Sequence, residues 1–484
     1  MVQLAAFIQV PSMDSITTLR ALSDIIAEAV TTVERAYKNA DLNPPCLDEP
    51  LDPHSPAEAL SRDPVVVDAV QNLVAAAAQI SAATRDPAVS ILGAANAFHI
   101  SSCVQAATQL NVPEILRDAG PQGMSVKDIA AKNHVDPKLL ARILRLLATH
   151  HIFREVSTDV FANNRISSTL DKGKSVEFLL ANPDQRFPET TGLAALVEFI
   201  TDEGFKAAGY MTETMLDPTG PRTGHMRAFR IDNNMFQWFE KPENKNRLTR
   251  FGVAMKGTAT EEPAETIFRG FKWQDLPAGS IVVDVGGGLG ASSLSIARRY
   301  PNLKVVNEDR PPVMEQSKAH WLEFFPEHLK AGMVEFQPHN FFEPQPVKNA
   351  TVFLLRHILH DYADANATII LTHLRTAALS STKLVIIEKI VQTACSGEST
   401  HPHVKNIPIL GVPRKPAPSP LLANFGLAGT PPYYDDLNMN NLPGGEERTL
   451  EGFYDVLLQS GWKLVEVYNC LQTDSNHIIA EPIL

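Results

Sequence analysis

Cysteine is scarce in this chain and poorly placed for cross-linking. Its four cysteines among 484 residues, Cys46, Cys103, Cys395 and Cys470, lie far apart, with no pair at zinc-ligand spacing and no disulfide framework. Positive charge is short as well. Forty-three Lys and Arg stand against 55 Asp and Glu, a net charge of −12, which argues against a nucleic-acid footprint. No unbroken apolar run approaches the length of a membrane span, so no membrane partner is expected. The first ten residues lack both the basic start and the length of a secretory signal. These absences lead to the expectation of a reduced, cytoplasmic protein. What is present is ordinary for a globular chain: 44% hydrophobic and 20% charged residues, enough for large cores in two or three domains.

The hydrophobic pattern changes along the chain. Leu19, Leu22, Ile26, Val30, Val33 and Tyr37 recur at steps of three and four, which predicts an amphipathic helix over 14–38. A Pro- and Asp-rich linker, about 41–58, precedes a second helix over 63–84, and residues 1–94 read as a helical arm with its linker. Residues 95–225 read as a separate helical domain. Within it Ser125 can cap one short helix, and Asp136 can cap a longer one that begins with Pro137. Residues 152–156 and 160–162, separated by Ser157-Thr158-Asp159, then read as a β-ribbon. Helix, helix, ribbon is a winged-helix outline. DNA binding through 137–150 is disfavoured, because that helix carries only Lys138, Arg142 and Arg145 as fixed cations.

From 226 to 484 the chain reads as an α/β domain. Strands are expected near 281–285, 304–307, 334–336, 351–355 and 384–388, alternating with helices as in an open parallel sheet. A closing antiparallel pair is expected near 463–468 and 476–480. Between them lies an insertion, about 393–435, with eight prolines. It is expected to be stiff, non-helical and either a lid or disordered.

The strand Ile281-Val282-Val283-Asp284-Val285 runs into Gly286-Gly287-Gly288-Leu289-Gly290, and the next strand delivers Asp309 to its C-terminal end. Glycines let the backbone turn beneath a bound nucleoside, and a carboxylate so placed can accept from ribose hydroxyls. Gly286, Gly288 and Gly290 fit a site for S-adenosylmethionine (SAM). Gly286, Gly288 and Ala291 also satisfy the relaxed dinucleotide fingerprint, which keeps a nicotinamide-dependent dehydrogenase open. Asp284 favours SAM, whose ammonium it could pair with and whose rival's pyrophosphate it would repel.

Chemistry is expected at the end of the fourth strand, where Arg356 and His360 leave the sheet. Glu388 ends the next strand on the same rim, and Glu447 follows Gly444-Gly445-Glu446. One histidine with two carboxylates in reach is a general-base arrangement. A phenol titrates near 10 and an imidazole near 6.5, a gap of about 3.5 units or roughly 5 kcal/mol, so the base needs such carboxylate help. His357 is left without a role, and no metal site is expected because no ligand cluster shows at sequence spacing.

Taken in order, Asp284 to Gly290, Asp309-Arg310-Pro311, His360-Asp361-Tyr362, Glu388 and Gly444 to Thr449 resemble the SAM-dependent O-methyltransferases. The likeness spans roughly 95–484. It is to the plant caffeic acid and flavonoid enzymes and, more closely, to fungal secondary-metabolite relatives. It implies a Rossmann-like SAM-methyltransferase sheet joined to an N-terminal winged-helix dimerisation domain, hence a homodimer. It further implies that Asp284 and Gly286 line the homocysteine end of SAM, that Gly288 and Phe341 also bind the cofactor, that Asp309 meets its ribose, and that Met255 lies over it. Arg356 matches a cofactor-contacting lysine, and His360 would be the base, flanked by Glu388 and Glu447. In His339-Asn340-Phe341-Phe342 the family's usual aspartate is Asn340, whose carbonyl can still accept from the adenine amine. The expected function is metal-independent methylation of a phenolic or enolic hydroxyl of an aromatic natural product. Two alternatives stay open: a SAM-binding relative drifted to hydroxylation or decarboxylation, and a non-catalytic winged-helix regulatory dimer.

Overall fold

The computed structural model describes residues 14–484 except 263, 396–400, 414 and 471–474. The chain forms two compact units that divide at Asp171/Lys172, not at 225, and the N-terminal arm belongs to the same unit as the winged-helix region.

In the first unit the arm consists of helices Ser15–Asn39 and Pro64–Thr84, packed on each other. Asp14 starts the first helix by accepting from the Ile16 and Thr17 amides at 3.0 and 3.1 Å. Leu22, Ala29 and Tyr37 are its buried stripe, and the Tyr37 hydroxyl donates to the Ala57 carbonyl at 2.9 Å. Arg165 donates through Nε and Nη2 to both oxygens of buried Glu58, tying the linker to the domain. The helices Val126–Asn133 and Pro137–Thr149 carry the expected Ser125 and Asp136 caps. Strands β1 (Met124–Ser125), β2 (Arg154–Ser157) and β3 (Val160–Ala162) form a small antiparallel sheet in the order β1-β3-β2.

The expectation about apolar length needs correction. Pro64–Thr84 and Pro87–Gln109 are, by length and composition only, long and apolar enough to cross a membrane. Their windows average hydropathies of 1.4 and 1.3 because Ala, Ser and Thr dilute the large apolar residues without adding charge, so no unbroken run shows. In the second of these helices Val89, Ile91, Leu92 and Phe98 are exposed in the single chain.

The second unit is built on an eight-stranded sheet. Its strands are β4 (Ile281–Val285), β5 (Lys304–Asp309), β6 (Val334–Pro338), β7 (Val352–Arg356), β8 (Lys383–Lys389), β9 (Ile409–Gly411), β10 (Trp462–Asn469) and β11 (Ser475–Pro482). The spatial order is β6-β5-β4-β7-β8-β11-β10-β9, with β4 to β8 mutually parallel and β11 antiparallel to both β8 and β10. Strand residues alternate between two cores, as a period of two requires. Val283, Val285, Phe353, Leu355, Leu384 and Ile386 pack with Ile370, Leu374, Phe453 and Leu457 of helices Asp364–Ala377 and Leu450–Gln459. Val282, Leu354, Val385 and Ile387 pack on the other face with Trp273 and Ile296.

The order reverses at β4, since β5 lies on one side and β7 on the other. Their C-terminal ends therefore bound the crevice where ligands of such sheets sit.

The insertion also departs from expectation. Residues 409–411 form β9, which pairs parallel to β10, and Pro431 and Pro432 open a helix that runs to Asn441. Proline is excluded from helix interiors, yet its fixed φ suits the first turn, where its missing N–H has no partner to lose. In the first unit, residues 416–430 lie against helix Pro64–Thr84, where Gln79 Nε2 donates to the Pro420 carbonyl at 2.8 Å.

Candidate active site

Four loops of the second unit converge on His360. β7 ends at Arg356, and the chain turns through His357, whose φ of +53° is left-handed, into a short turn at Leu359–Asp361. Glu388, fully buried on β8, holds this turn, because its Oε1 accepts from the Ile358 and Leu359 amides at 2.9 Å each. Glu446 N–H donates to the His360 carbonyl at 2.9 Å. A Cβ at Gly445 would lie 2.0 Å from that same carbonyl oxygen, so only glycine lets this segment approach. Arg448, with its side chain 2% exposed, locks the arrangement by donating to the carbonyls of Leu359 (2.9 Å) and Tyr362 (2.6 Å) and to Asp364 (2.9 Å).

His360 Nδ1 lies 2.9 Å from Glu447 Oε1. An ionised carboxylate only accepts, so Nδ1 carries the proton and a neutral ring leaves Nε2 free to take one. Glu388 Oε2 is 3.9 Å from Nδ1, beyond hydrogen-bond range, and acts through its charge. Asp361 Oδ1 is 3.9 Å from Nε2. Burial opposes the charged imidazole, but the charge of Glu388, the bond to Glu447 and the charge of Asp361 outweigh it and lift the pKa to about 10. Burial, partly offset by the His360 charge, raises the Asp361 carboxyl to about 6.

The glycine loop borders this centre. Gly286 has φ +72°, and a Cβ there would lie 2.6 Å from Ile358 Cδ1 and 3.5 Å from Phe341. Gly288, at φ +57°, faces open space, and its N–H donates to Asp309 Oδ2 at 2.9 Å. Asp309 Oδ1 accepts from the Arg310 amide at 2.7 Å, and burial raises its pKa against those two amide bonds. An open glycine beside a carboxylate at a strand end fits a nucleoside with ribose hydroxyls to donate. Phe341 stands edge-on to Phe342 and Tyr362, a small aromatic wall. Asn340 is exposed, and its Oδ1 accepts from the Phe342 amide at 3.2 Å.

Asp284 is 2% exposed and takes Ser293 N–H (3.2 Å) and Oγ–H (2.6 Å) at the start of helix Ala291–Arg299. Burial raises it to about 6 against those bonds and the charge of Arg356. It thus fastens β4 to the following helix, a role its position in a strand did not suggest. Arg356 donates to Ser292 Oγ at 3.2 Å and forms an ion pair with Glu262. Burial opposes the charge on Glu262, but His357 and Arg356 prevail and depress it to about 2. Met255 packs with Phe187, Ala194, Ala195 and Ala254 in a small separate cluster.

Sequence reasoning missed Glu262, Asp361 and Arg448. Asp361 and Arg448 stood inside the motifs quoted, but nothing in their spacing showed which atoms they would meet. Sequence spacing also did not show that one donor atom each from His357, His360 and Glu388 lies within 4.8 Å of the others, since His360 and Glu388 are 28 positions apart by number.

The family model described as O-methyltransferase domain matches residues 228–412, and that of the O-methyltransferase dimerisation domain matches 92–173. An O-methyltransferase of Armillaria gallica is 40% identical over 470 residues, covering 96% of this chain and 97% of its own. The 4-O-methyltransferase 1 of Phanerochaete chrysosporium is 38% identical over 463 residues, covering 93% and 95%. The solved structure of the mitomycin 7-O-methyltransferase MmcR shares the fold at a TM-score of 0.58 and 23% identity, covering 84% of this chain and 99% of that one.

Proposed function

The chain belongs to the SAM-dependent O-methyltransferases, and from that premise we propose that it methylates a phenolic or enolic hydroxyl of an aromatic natural product as a homodimer, with His360 as general base and without a metal. The observation that carries the base assignment is the 2.9 Å contact of His360 Nδ1 with Glu447 at the C-terminal end of β7, next to the glycine loop of β4.

The residues that would hold SAM are Gly286, Gly288, Asp309, Phe341 and Asn340, with Asp284 and Arg356 setting the local charge. SAM supplies an electrophilic methyl group on a cationic sulfur. His360 Nε2 takes the acceptor's hydroxyl proton, and Glu447 keeps the opposite ring nitrogen protonated while the charge develops. With SAM bound, the deprotonated oxygen would be placed to take the methyl group, and the electron pair of the carbon–sulfur bond would leave with S-adenosylhomocysteine (SAH). Glu388 and Arg448 fix the turn that carries the base and touch no reacting atom.

The match of 92–173 to a dimerisation domain and the exposed apolar residues of Pro87–Gln109 support the homodimer. Activation of His360 by carboxylates supports a metal-free reaction, so dialysis against chelator should leave turnover unchanged. Loss of turnover on chelation, restored by a divalent ion, would remove that part of the proposal.

A further inference from the structure

We propose that His357, His360 and Glu388, with Glu447 as neighbour, also form a binding site for a borderline transition-metal dication such as Zn²⁺, and that the ion blocks the base. The site is distinct from any requirement of the reaction, since an ion on Nδ1, between Glu388 and Glu447, would leave the neutral ring's one proton on Nε2, the atom catalysis needs free.

Three observations converge. The donor atoms of His357, His360 and Glu388 all lie within 4.8 Å of one another. Ligands of a tetrahedral ion bound at about 2.0–2.2 Å sit roughly 3.4 Å apart, so closure needs movement of about 1 Å. Glu388 is fully buried and, among the described residues, its Oε2, 3.9 Å from His360 Nδ1, has no hydrogen-bond partner. Glu447 Oε2 is likewise buried and unpartnered. A buried carboxylate oxygen left unpaired is costly, and a cation between these oxygens would satisfy both.

The third observation is charge and donor type. Carboxylate oxygens of Glu447, Glu388 and Asp361 lie 2.9, 3.9 and 3.9 Å from ring nitrogens of His360, and two imidazoles with carboxylates suit zinc better than magnesium or calcium. His357 is held in a left-handed backbone, and its ring centroid is 5.7 Å from that of His360. Such a conformation is strained in a residue other than glycine and commonly persists where a side chain must be aimed. Helix Lys245–Glu261 ends beside Glu262, which lies 3.5 Å from His357 Nε2 and offers a further carboxylate at the edge of the cluster.

The test titrates chelator-treated full-length protein with ZnCl₂ by calorimetry and with Co²⁺ by visible absorption, for the wild type and for His357→Gln. Circular dichroism checks that the variant is folded, and His320→Gln serves as a histidine control away from the cluster. The expected result is one ion per chain at a Kd of about 10 µM or tighter, tetrahedral Co²⁺ bands, at least tenfold weaker binding by His357→Gln, and no change in the control. Zn²⁺ should also inhibit wild-type turnover over the same concentration range. Binding weaker than about 1 mM, or equal binding by the folded His357→Gln protein, would overturn the proposal. Turnover stimulated by Zn²⁺ would overturn its inhibitory sense. The binding measurement needs no acceptor, so its failure is separate from failure of the methyl-transfer assignment.

Discussion

At the scale of single residues, the decisive quantity for the proposed mechanism is the basicity of His360. An imidazole near 10 matches a phenol near 10, which removes most of the roughly 5 kcal/mol gap an unaided histidine would face. The gain has a cost, because at neutral pH such a ring is mostly protonated, and freeing it takes about 4 kcal/mol. A charged imidazole beside a phenolate carries the same proton count as a neutral imidazole beside a phenol, so productive complexes accumulate as pH rises. The values of kcat/KM should therefore climb about tenfold per unit from neutrality toward about pH 10. Glu447→Gln removes a charge and weakens the bond at Nδ1, so its rising limb should move to lower pH while the maximal rate falls. A pH–rate profile of both proteins checks this, and an unmoved limb would show that Glu447 does not tune the base. His360 was legible in the sequence because it follows a strand and precedes a helix on the ligand-bearing rim. Glu262 and Asp361 were not, because burial and distance decide their effect and neither is written in local spacing.

Among the elements, the glycine loop and the segment from Gly444 to Arg448 carry the site. Gly286→Ala puts a methyl 2.6 Å from Ile358 in a left-handed backbone. SAH binding, measured by calorimetry, should weaken at least tenfold, about 1.4 kcal/mol. Arg448→Ala strips the carbonyls of Leu359 and Tyr362 of a charged donor. Stability should fall by at least about 2 kcal/mol in urea unfolding, with turnover lost alongside it. β4, β7 and β8 were readable as buried apolar runs, while β6 and β10 showed only as short alternations of apolar and polar residues. β9 was not readable: three exposed residues in a proline-rich stretch pair through backbone atoms that the sequence does not distinguish. The helix at Pro431 was masked for the opposite reason, since prolines that begin a helix and prolines that prevent one look alike until the first turn is located.

For the whole molecule, the apolar helix Pro87–Gln109 sets an expectation about assembly. Ile91 and Leu92 are 68% and 61% exposed in the single chain, within or beside the segment that matches the dimerisation domain. Ile91→Glu with Leu92→Glu should convert the dimer to monomer by light scattering, with loss of methyl transfer if the partner completes the acceptor pocket. A dimer that survives both changes would move the interface elsewhere. Assembly was the least legible level in the sequence, because an Ala-rich helix reads equally as core, interface or membrane segment until its burial is seen.

The most direct test of the account incubates the purified protein with SAM and a panel of phenols and enols and measures SAH release beside His360→Ala. The prediction is release that depends on the acceptor and falls at least a hundredfold in the variant, which still binds SAH. Release at the same rate without His360 would contradict the mechanism. Tight SAM binding with no release from any hydroxyl, but conversion of an acceptor by another reaction, would contradict the function itself.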